Sequence, residues 1–402
     1  MARRLNEQAV LDAIFSRGPA SRVDVAEMTG LSKPTVSSIV GELVAAGLVH
    51  PTGRTQGNVG RTAVLYEVNP AVGHVVGVDL GGTKVRAALC DMFGGILAER
   101  VLPTDPAGPD AVISQIQGLA AELAAEADIP IATVAAMAVA TPGTVDPASG
   151  EISLAYNIPS FAGINLAERL EAGKPYRVAI DNDVNMAAVG ERWQGLARHS
   201  DNFVFLAVGT GIGMGLMLNG EIWQGHGGMA GEVGYMPIGG DPFDPATRER
   251  GPLEEAGAGR GIVARYLKAL GEDQAPPSGM TAEMVFEAAR AGDDRAIGVI
   301  DEEARVLALA ITGINAVVAP ELVVLGGGIG ANPLLLEPIS RYVAELVPNS
   351  GAPTVNTSAL EHRASLIGSL AIGLQAARTV VFGSPPGPVV VERSPGKRSY
   401  AS

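Results

Sequence analysis

A chain of 402 residues with 47% hydrophobic content is long enough for two or three cores, so a small module beside a larger body is expected. The single cysteine, Cys90, excludes an intrachain disulfide and a cysteine-built zinc cluster. No charged-then-apolar leader opens the sequence and no unbroken apolar run approaches about 18 residues, so a cytoplasmic protein with no membrane association is expected. The net charge of −14 excludes general affinity for nucleic acid, but residues 1–70 net +1 while the rest carries −15, so any DNA contact must come from the N-terminal segment.

In chain order, Val10, Leu11, Ile14 and Phe15 form an apolar stripe that predicts a helix over residues 6–15, ended by Gly18-Pro19. A second helix fits residues 21–29, with Ser21 as N-cap and Gly30 as stop. The third starts at the cap Ser32 with Pro34 in its first turn, and Val36, Ile39, Val40, Leu43 and Val44 repeat at helical spacing until Gly47. Strands at 48–50 and 63–68 follow, joined by a Gly/polar stretch. Three short helices and a hairpin make a winged helix-turn-helix over residues 1–70, with Asn69-Pro70 as the boundary.

On the third helix Lys33, Thr35, Ser37 and Ser38 occupy the polar side near the N-terminus, where short donors reach base edges. Arg54 and Arg61 stand in the wing, placed to enter a minor groove. Ser and Thr read bases loosely, so DNA affinity is expected from a homodimer or homotetramer on paired half-sites.

After Val72 the pattern changes to apolar strands followed by glycine turns, at 74–80, 134–139, 178–180, 203–208 and 322–325. Helices at 110–127, 284–291, 304–318 and 364–378 intervene, so residues 71–382 read as an α/β body and 383–402 as a flexible tail. Asp79 ends the first strand before Gly81-Gly82-Thr83-Lys84, a turn whose amides and hydroxyl can approach phosphate, with a carboxylate beside it for hydrated Mg²⁺. Thr210-Gly211 repeats the logic after the strand at 203–208, and Gly327-Gly328 after 322–325. One such turn would serve only a tight bend; three, each after a strand, point to a nucleotide. Asp181-Asn182-Asp183-Val184-Asn185 ends another strand, and Glu232 and Glu254 add carboxylates able to accept hydrogen bonds from a polyhydroxylated ligand.

These pieces resemble, in this order, the ROK family of repressors, open reading frames and sugar kinases, over residues 3–378. Asp79-Leu80-Gly81-Gly82-Thr83-Lys84 is similar to its first phosphate motif, residues 208–234 to its signature segment, and residues 314–328 to its adenosine-side motif. The resemblance implies two actin-like lobes around a cleft, with the last helix returning to the first lobe. It assigns Asp183 as catalytic base, Asn157, Asn182, Asp183, Glu232 and Glu254 as sugar contacts, and Mg-ATP as a possible cofactor.

Two departures shape the expected function. Tyr235 stands where the family has a histidine that touches sugar and ligates zinc, and Asp241-Pro242-Phe243-Asp244-Pro245 stands where its cysteine ligands lie. Tyr235 still hydrogen-bonds a hydroxyl, but no residue of this chain is expected to ligate zinc. His226 nearby is a single histidine in a Gly-rich loop and reads as a surface residue. A metabolic kinase has no need of a DNA-binding module, so the sequence is read as a sugar-responsive transcriptional repressor. Its expected partners are operator DNA and a sugar or sugar-phosphate effector. The alternative is an ATP-dependent sugar kinase retaining that module.

Overall fold

The computed structural model describes residues 2–54, 62–154, 158, 161–271, 279–348 and 351–383. Arg61, Asn157 and the tail beyond residue 383 lie outside the described residues.

The N-terminal module runs α1 (Ala2–Arg17), β1 (Ala20–Ser21), α2 (Arg22–Thr29), α3 (Lys33–Ala45), β2 (Val49–Arg54) and β3 (Val64–Val68). Its helix starts are chemically marked. The Ser21 hydroxyl accepts the Asp24 N–H at 3.2 Å while the Asp24 carboxylate accepts the Ser21 N–H at 2.9 Å, a reciprocal capping box, and Gly30 ends α2 in the left-handed region at φ 68°. Ser32 caps α3 through the Thr35 N–H, and Pro34 sits where no N–H is needed. The strands pair antiparallel in the order β1-β3-β2. Val10, Ile14, Val36, Val40, Leu43 and Val68 are buried as the module's core.

The first α/β lobe follows as β4 (His74–Leu80), β5 (Lys84–Asp91), β6 (Ile96–Pro103), α4 (Pro109–Glu126), β7 (Val134–Thr141), β8 (Thr144–Val145), β9 (Ile152–Ser153), α5 (Leu166–Glu171), β10 (Arg177–Asn182) and α6 (Asp183–Gln194). Its sheet has the order β10-β7-β4-β5-β6, with β4, β7 and β10 parallel and β5 and β6 joined on as antiparallel hairpins. The second lobe holds β11 (Phe203–Val208), β12 (Ile212–Leu218), β13 (Glu221–Ile222), α7 (Pro245–Arg248), α8 (Pro252–Gly257), α9 (Gly259–Leu270), α10 (Ala282–Arg290), α11 (Asp294–Val318), β14 (Leu322–Gly326), α12 (Gly327–Gly330), α13 (Pro333–Leu346) and β15 (Thr354–Thr357). Its sheet order is β13-β12-β11-β14-β15, with β11, β14 and β15 parallel. Val204, Leu206, Val323 and Leu325 are fully buried against α11, as expected for strands covered by helices.

The chain then returns as α14 (Ala364–Phe382), which packs on β4 and β7 and against α6. An added Cβ at Gly77 would lie 2.8 Å from Leu370, and the Ser369 hydroxyl donates to the Val78 carbonyl at 3.0 Å, so the helix sits directly on the strand backbone. Residues Glu361–Phe382 are long and apolar enough to cross a membrane by length and composition, a length the apolar runs did not reveal. In this fold Leu366, Leu370 and Ala377 spend that hydropathy in the core of the first lobe.

Candidate functional site

The parallel strands of the first lobe end together, and the Thr210-Gly211 turn of the second lobe faces them. Between them lies a cleft of roughly 330 Å³ lined by Asp183, Glu232, Tyr235 and Glu254 among others, with Thr210, Gly211 and Gly327 from the β-turns of the second lobe. Asn182 also lines it, and its side chain serves the fold as well. Its Oδ1 accepts the Val184 and Asn185 N–H groups at 2.9 and 3.2 Å, capping α6, and its Nδ2 donates to the Gly143 carbonyl at 2.9 Å. Asn182 therefore fixes where α6 starts, and Asp183 is the first residue of that helix.

Each carboxylate has its own support. Glu232 accepts a hydrogen bond from the Thr144 hydroxyl at 2.9 Å, across the two lobes. Glu254, on α8, accepts the Ile212 N–H at 3.0 Å, and a Cβ on Gly211 would lie 2.7 Å from that carboxylate, so a side chain there would have to displace it. Burial pushes the Asp183 carboxyl up to about 7; the charge of Asp79 adds to this, the Val184 N–H opposes it, and Glu232 adds further. Burial also raises Glu254, against the pull of the Ile212 N–H.

The nucleotide candidates divide. Gly327 has φ 77°, and a Cβ there would overlap the Val208 carbonyl, whereas Gly328 has open space around its Cα. Gly81, Gly82, Thr83 and Lys84 form the exposed tip of the β4–β5 hairpin and lie off the cleft lining; the Gly81 N–H donates to the Lys84 carbonyl at 2.9 Å and the Thr104 hydroxyl to the Gly81 carbonyl at 2.7 Å. Asp79 is buried and paired at 3.1 Å with Arg86, its cross-strand partner. Burial raises the Asp79 carboxyl and Arg86 draws it back.

Several supporting groups escape a reading of the sequence because they come from distant segments. Asp181 accepts bonds from the Asn182 N–H, from Asn185 at 2.9 Å and from Gln224 at 2.9 Å, tying the strand end to the loop after β13. Arg250 lines the cleft beside Tyr235, whose hydroxyl donates to the Glu249 carbonyl at 3.3 Å. Arg265 grips the wholly buried Glu303 and donates to the Ala256 carbonyl at the end of α8, holding the segment that carries Glu254.

On the N-terminal module Lys33 and Arg54 are exposed, Ser37 is half-buried, and Thr35 shares a 2.8 Å hydrogen bond with Ser32. The Ser38 hydroxyl donates to Glu42 at 3.2 Å, and Glu42 is ion-paired with Arg3 at 2.8 Å, so a carboxylate sits on the polar side of α3. Arg22, which carries no sequence signal, lies 5.0 Å over the Tyr66 ring and lines with Arg54 a groove between α3 and the hairpin. Arg54→Ala is expected to weaken DNA binding and lower the salt slope by about 0.9, as one lost phosphate contact. Anisotropy titrations at several salt concentrations measure this, and an unchanged slope removes Arg54 from the interface.

Comparison with known proteins places these parts. Residues 75–376 match the ROK family and residues 6–57 the MarR family. The xylose repressor of Bacillus subtilis is 26% identical, over 89% of this chain and 95% of its own length. The glucokinase of Halalkalibacterium halodurans is 32% identical, over 66% of this chain and 84% of its own. A crystal structure of a ROK family transcriptional regulator, a homologue of the E. coli MLC protein, superposes with a TM-score of 0.77 at 23% identity, covering 95% of this chain and 98% of that one, a likeness of fold. A MarR-type winged helix thus precedes an actin-like, sugar-kinase body, and the chain belongs to the ROK family.

Proposed function

We propose that this chain is a transcriptional repressor that binds a sugar in the cleft between its lobes and answers through its N-terminal module on operator DNA, as a cytoplasmic homodimer or homotetramer. The observation that carries this reading is the union, in one chain, of a MarR-type module with a cleft lined by Asp183, Glu232 and Glu254. Carboxylates around a polar cleft accept hydrogen bonds from vicinal hydroxyls, and a phosphorylating enzyme alone has no use for the module.

A thermal-shift panel of neutral sugars, headed by D-xylose, and sugar phosphates tests the reading. At least one member is expected to raise the melting temperature of the parent. Glu232→Ala is expected to weaken that member's affinity on the order of ten- to a hundredfold, the loss of a hydrogen bond to a charged group. A full panel without a shift overturns the assignment of the cleft.

A second reading, an ATP-dependent sugar kinase, is favoured by Asp183. A carboxyl held near 7 in a buried site is partly deprotonated at neutral pH and so able to take the proton of a hydroxyl. Mg-ATP, when bound, supplies the phosphoryl group and the charge that offsets its transfer. The residues fit it unevenly: Thr210, Gly211 and Gly327 line the cleft, where backbone can approach phosphate, whereas Asp79 is engaged by Arg86. A coupled assay of ATP consumption across the same sugars separates the readings, with turnover lost in Asp183→Asn if the kinase is real.

Zinc has no part in either reading. Tyr235 cannot ligate as imidazole would, and among the described residues no three His, Cys, Asp or Glu side chains are grouped to hold a metal. Elemental analysis of purified protein is expected to find no stoichiometric zinc, and chelators are expected to leave the melting temperature unchanged. One zinc per chain would demand a different ligand set.

A further inference from the structure

Resting on the reading that the cleft takes a sugar and the N-terminal module takes DNA, we propose that Phe15 is the joint through which the two communicate, its ring in contact with both Phe93 and Arg378, which are carried by elements that touch α6.

The chain of contacts starts in the cleft. Asn182 caps α6 while bonding the Gly143 carbonyl, so movement of the cleft wall moves the start of the helix. Along α6 two separate contacts lead away. At its middle, α6 meets α14 backbone to backbone: a Cβ on Gly368 would overlap the Met186 carbonyl, and one on Gly190 would lie 3.0 Å from the Gly368 nitrogen. At its last turn, the Trp193 ring lies so close to Gly94, at the tip of the β5–β6 hairpin, that no Cβ fits there. Helices in contact through bare backbone have no side chains between them to absorb a shift, so displacement of one is passed to the other.

Both contacts arrive at the same ring. Phe93, beside Gly94, stacks on Phe15 at 5.3 Å with 25° between the planes. Arg378, more than two turns beyond Gly368 on α14, places its guanidinium 3.8 Å from the Phe15 centroid. Phe15 is 3% exposed and belongs to the core that also holds Val36 and Val40 of α3. A ring in contact with both the hairpin and the last helix reports the position of both, and it reports it to α3, the helix read as facing DNA. The stack is not required for the lobes to bind a sugar, since neither Phe93 nor Arg378 lines the cleft. It sets where the module rests.

Amide hydrogen exchange on the full chain tests this without needing the effector or the operator. Trp193→Leu alters α6 at a site outside the module, and it is expected to speed exchange in residues 8–17 at least threefold; in the reverse direction Phe15→Leu, a change inside the module, is expected to speed exchange in residues 183–190. Gly190→Ala, a wedge between the helices, is the stronger variant, and Trp193→Leu serves where it fails to fold. A second arm adds D-xylose, D-glucose and their phosphates: any of these that protects residues 183–190 is expected to protect 8–17 in the parent and not in Arg378→Met. Changes confined to the neighbourhood of each substitution would overturn the proposal, whether or not a sugar binds. A panel in which no sugar binds would count against the cleft assignment and leave the exchange result to decide the joint.

Discussion

Asp183→Asn is expected to be no more stable than the parent near pH 4 and clearly more stable at pH 8. The native carboxyl is raised from an ordinary value of 3.8 to about 7, chiefly by burial, so between those values the native state holds a proton that the unfolded chain releases. The unfolded state therefore gains relative to the native one as pH rises through this window, and stability falls until the native group has also ionised, beyond which its contribution is constant. A shift of about 3 units corresponds to at most about 4 kcal/mol. The amide has no charge to bury and escapes this cost. Burial also raises Glu303, with the same sign, so the quantity to measure is the difference between variant and parent in denaturant midpoints at pH 5 and pH 8. A gap that widens with pH fits the burial of Asp183, and one that is constant or narrows contradicts it.

Gly368→Ala is expected to cost about 3 kcal/mol or more, or to prevent folding, which is the upper end of the range for overpacking. The added methyl would meet the Met186 carbonyl of α6, and neither helix can retreat freely. On one side α14 rests on Gly77 and is bonded through Ser369 to Val78; on the other, α6 is fixed by its cap at Asn182. Gly328→Ala is the control. That residue also lies at a close turn of the second lobe, yet nothing stands within 4 Å of an added Cβ, so its cost is expected to be within about 0.5 kcal/mol. Urea unfolding of the three proteins measures both, and equal midpoints would mean that the helices have slack the contact does not show.

Where the sequence carries its own chemistry, the fold was legible. Ser21, Ser32 and Pro34 mark helix starts by satisfying or lacking N–H groups, and the strand Phe203–Val208 announces itself as an unbroken apolar run between polar and glycine boundaries. Strand β1, two residues long, is too short for any periodicity and exists only because β3 pairs with it. Helix α6 was hidden for a different reason. Buried residues such as Met186, Ala187, Ala188 and Glu191 cover more than one side of it, so it shows no clean stripe, and the polar run Asp181–Asn185 reads equally as a ligand-binding strand end or as a helix-capping turn.

The candidate site divides in the same way. Asp183, Glu232 and Glu254 stood out as carboxylates next to strand ends or glycines, and all three line the cleft. What holds them did not stand out, because Thr144 lies 88 residues from Glu232 and Gln224 lies 43 from Asp181, and nothing local announces either pair. Asn182 illustrates the converse: an amide in a polar run reads as a ligand contact, but the first turn of a helix competes for the same oxygen. Asp79 likewise pairs with Arg86 because residues seven apart meet across a tight hairpin.

Occupancy of the cleft is expected to change DNA binding, and operator affinity with and without the sugar identified by thermal shift measures that coupling, in the parent and in Glu232→Ala. A coupling of about 1 to 3 kcal/mol would change the parent's affinity roughly five- to a hundredfold. Glu232→Ala is expected to bind the operator as the sugar-free parent does and to ignore the sugar at concentrations that saturate the parent. An operator affinity in the parent that no bound sugar alters would mean that the cleft does not signal to the module.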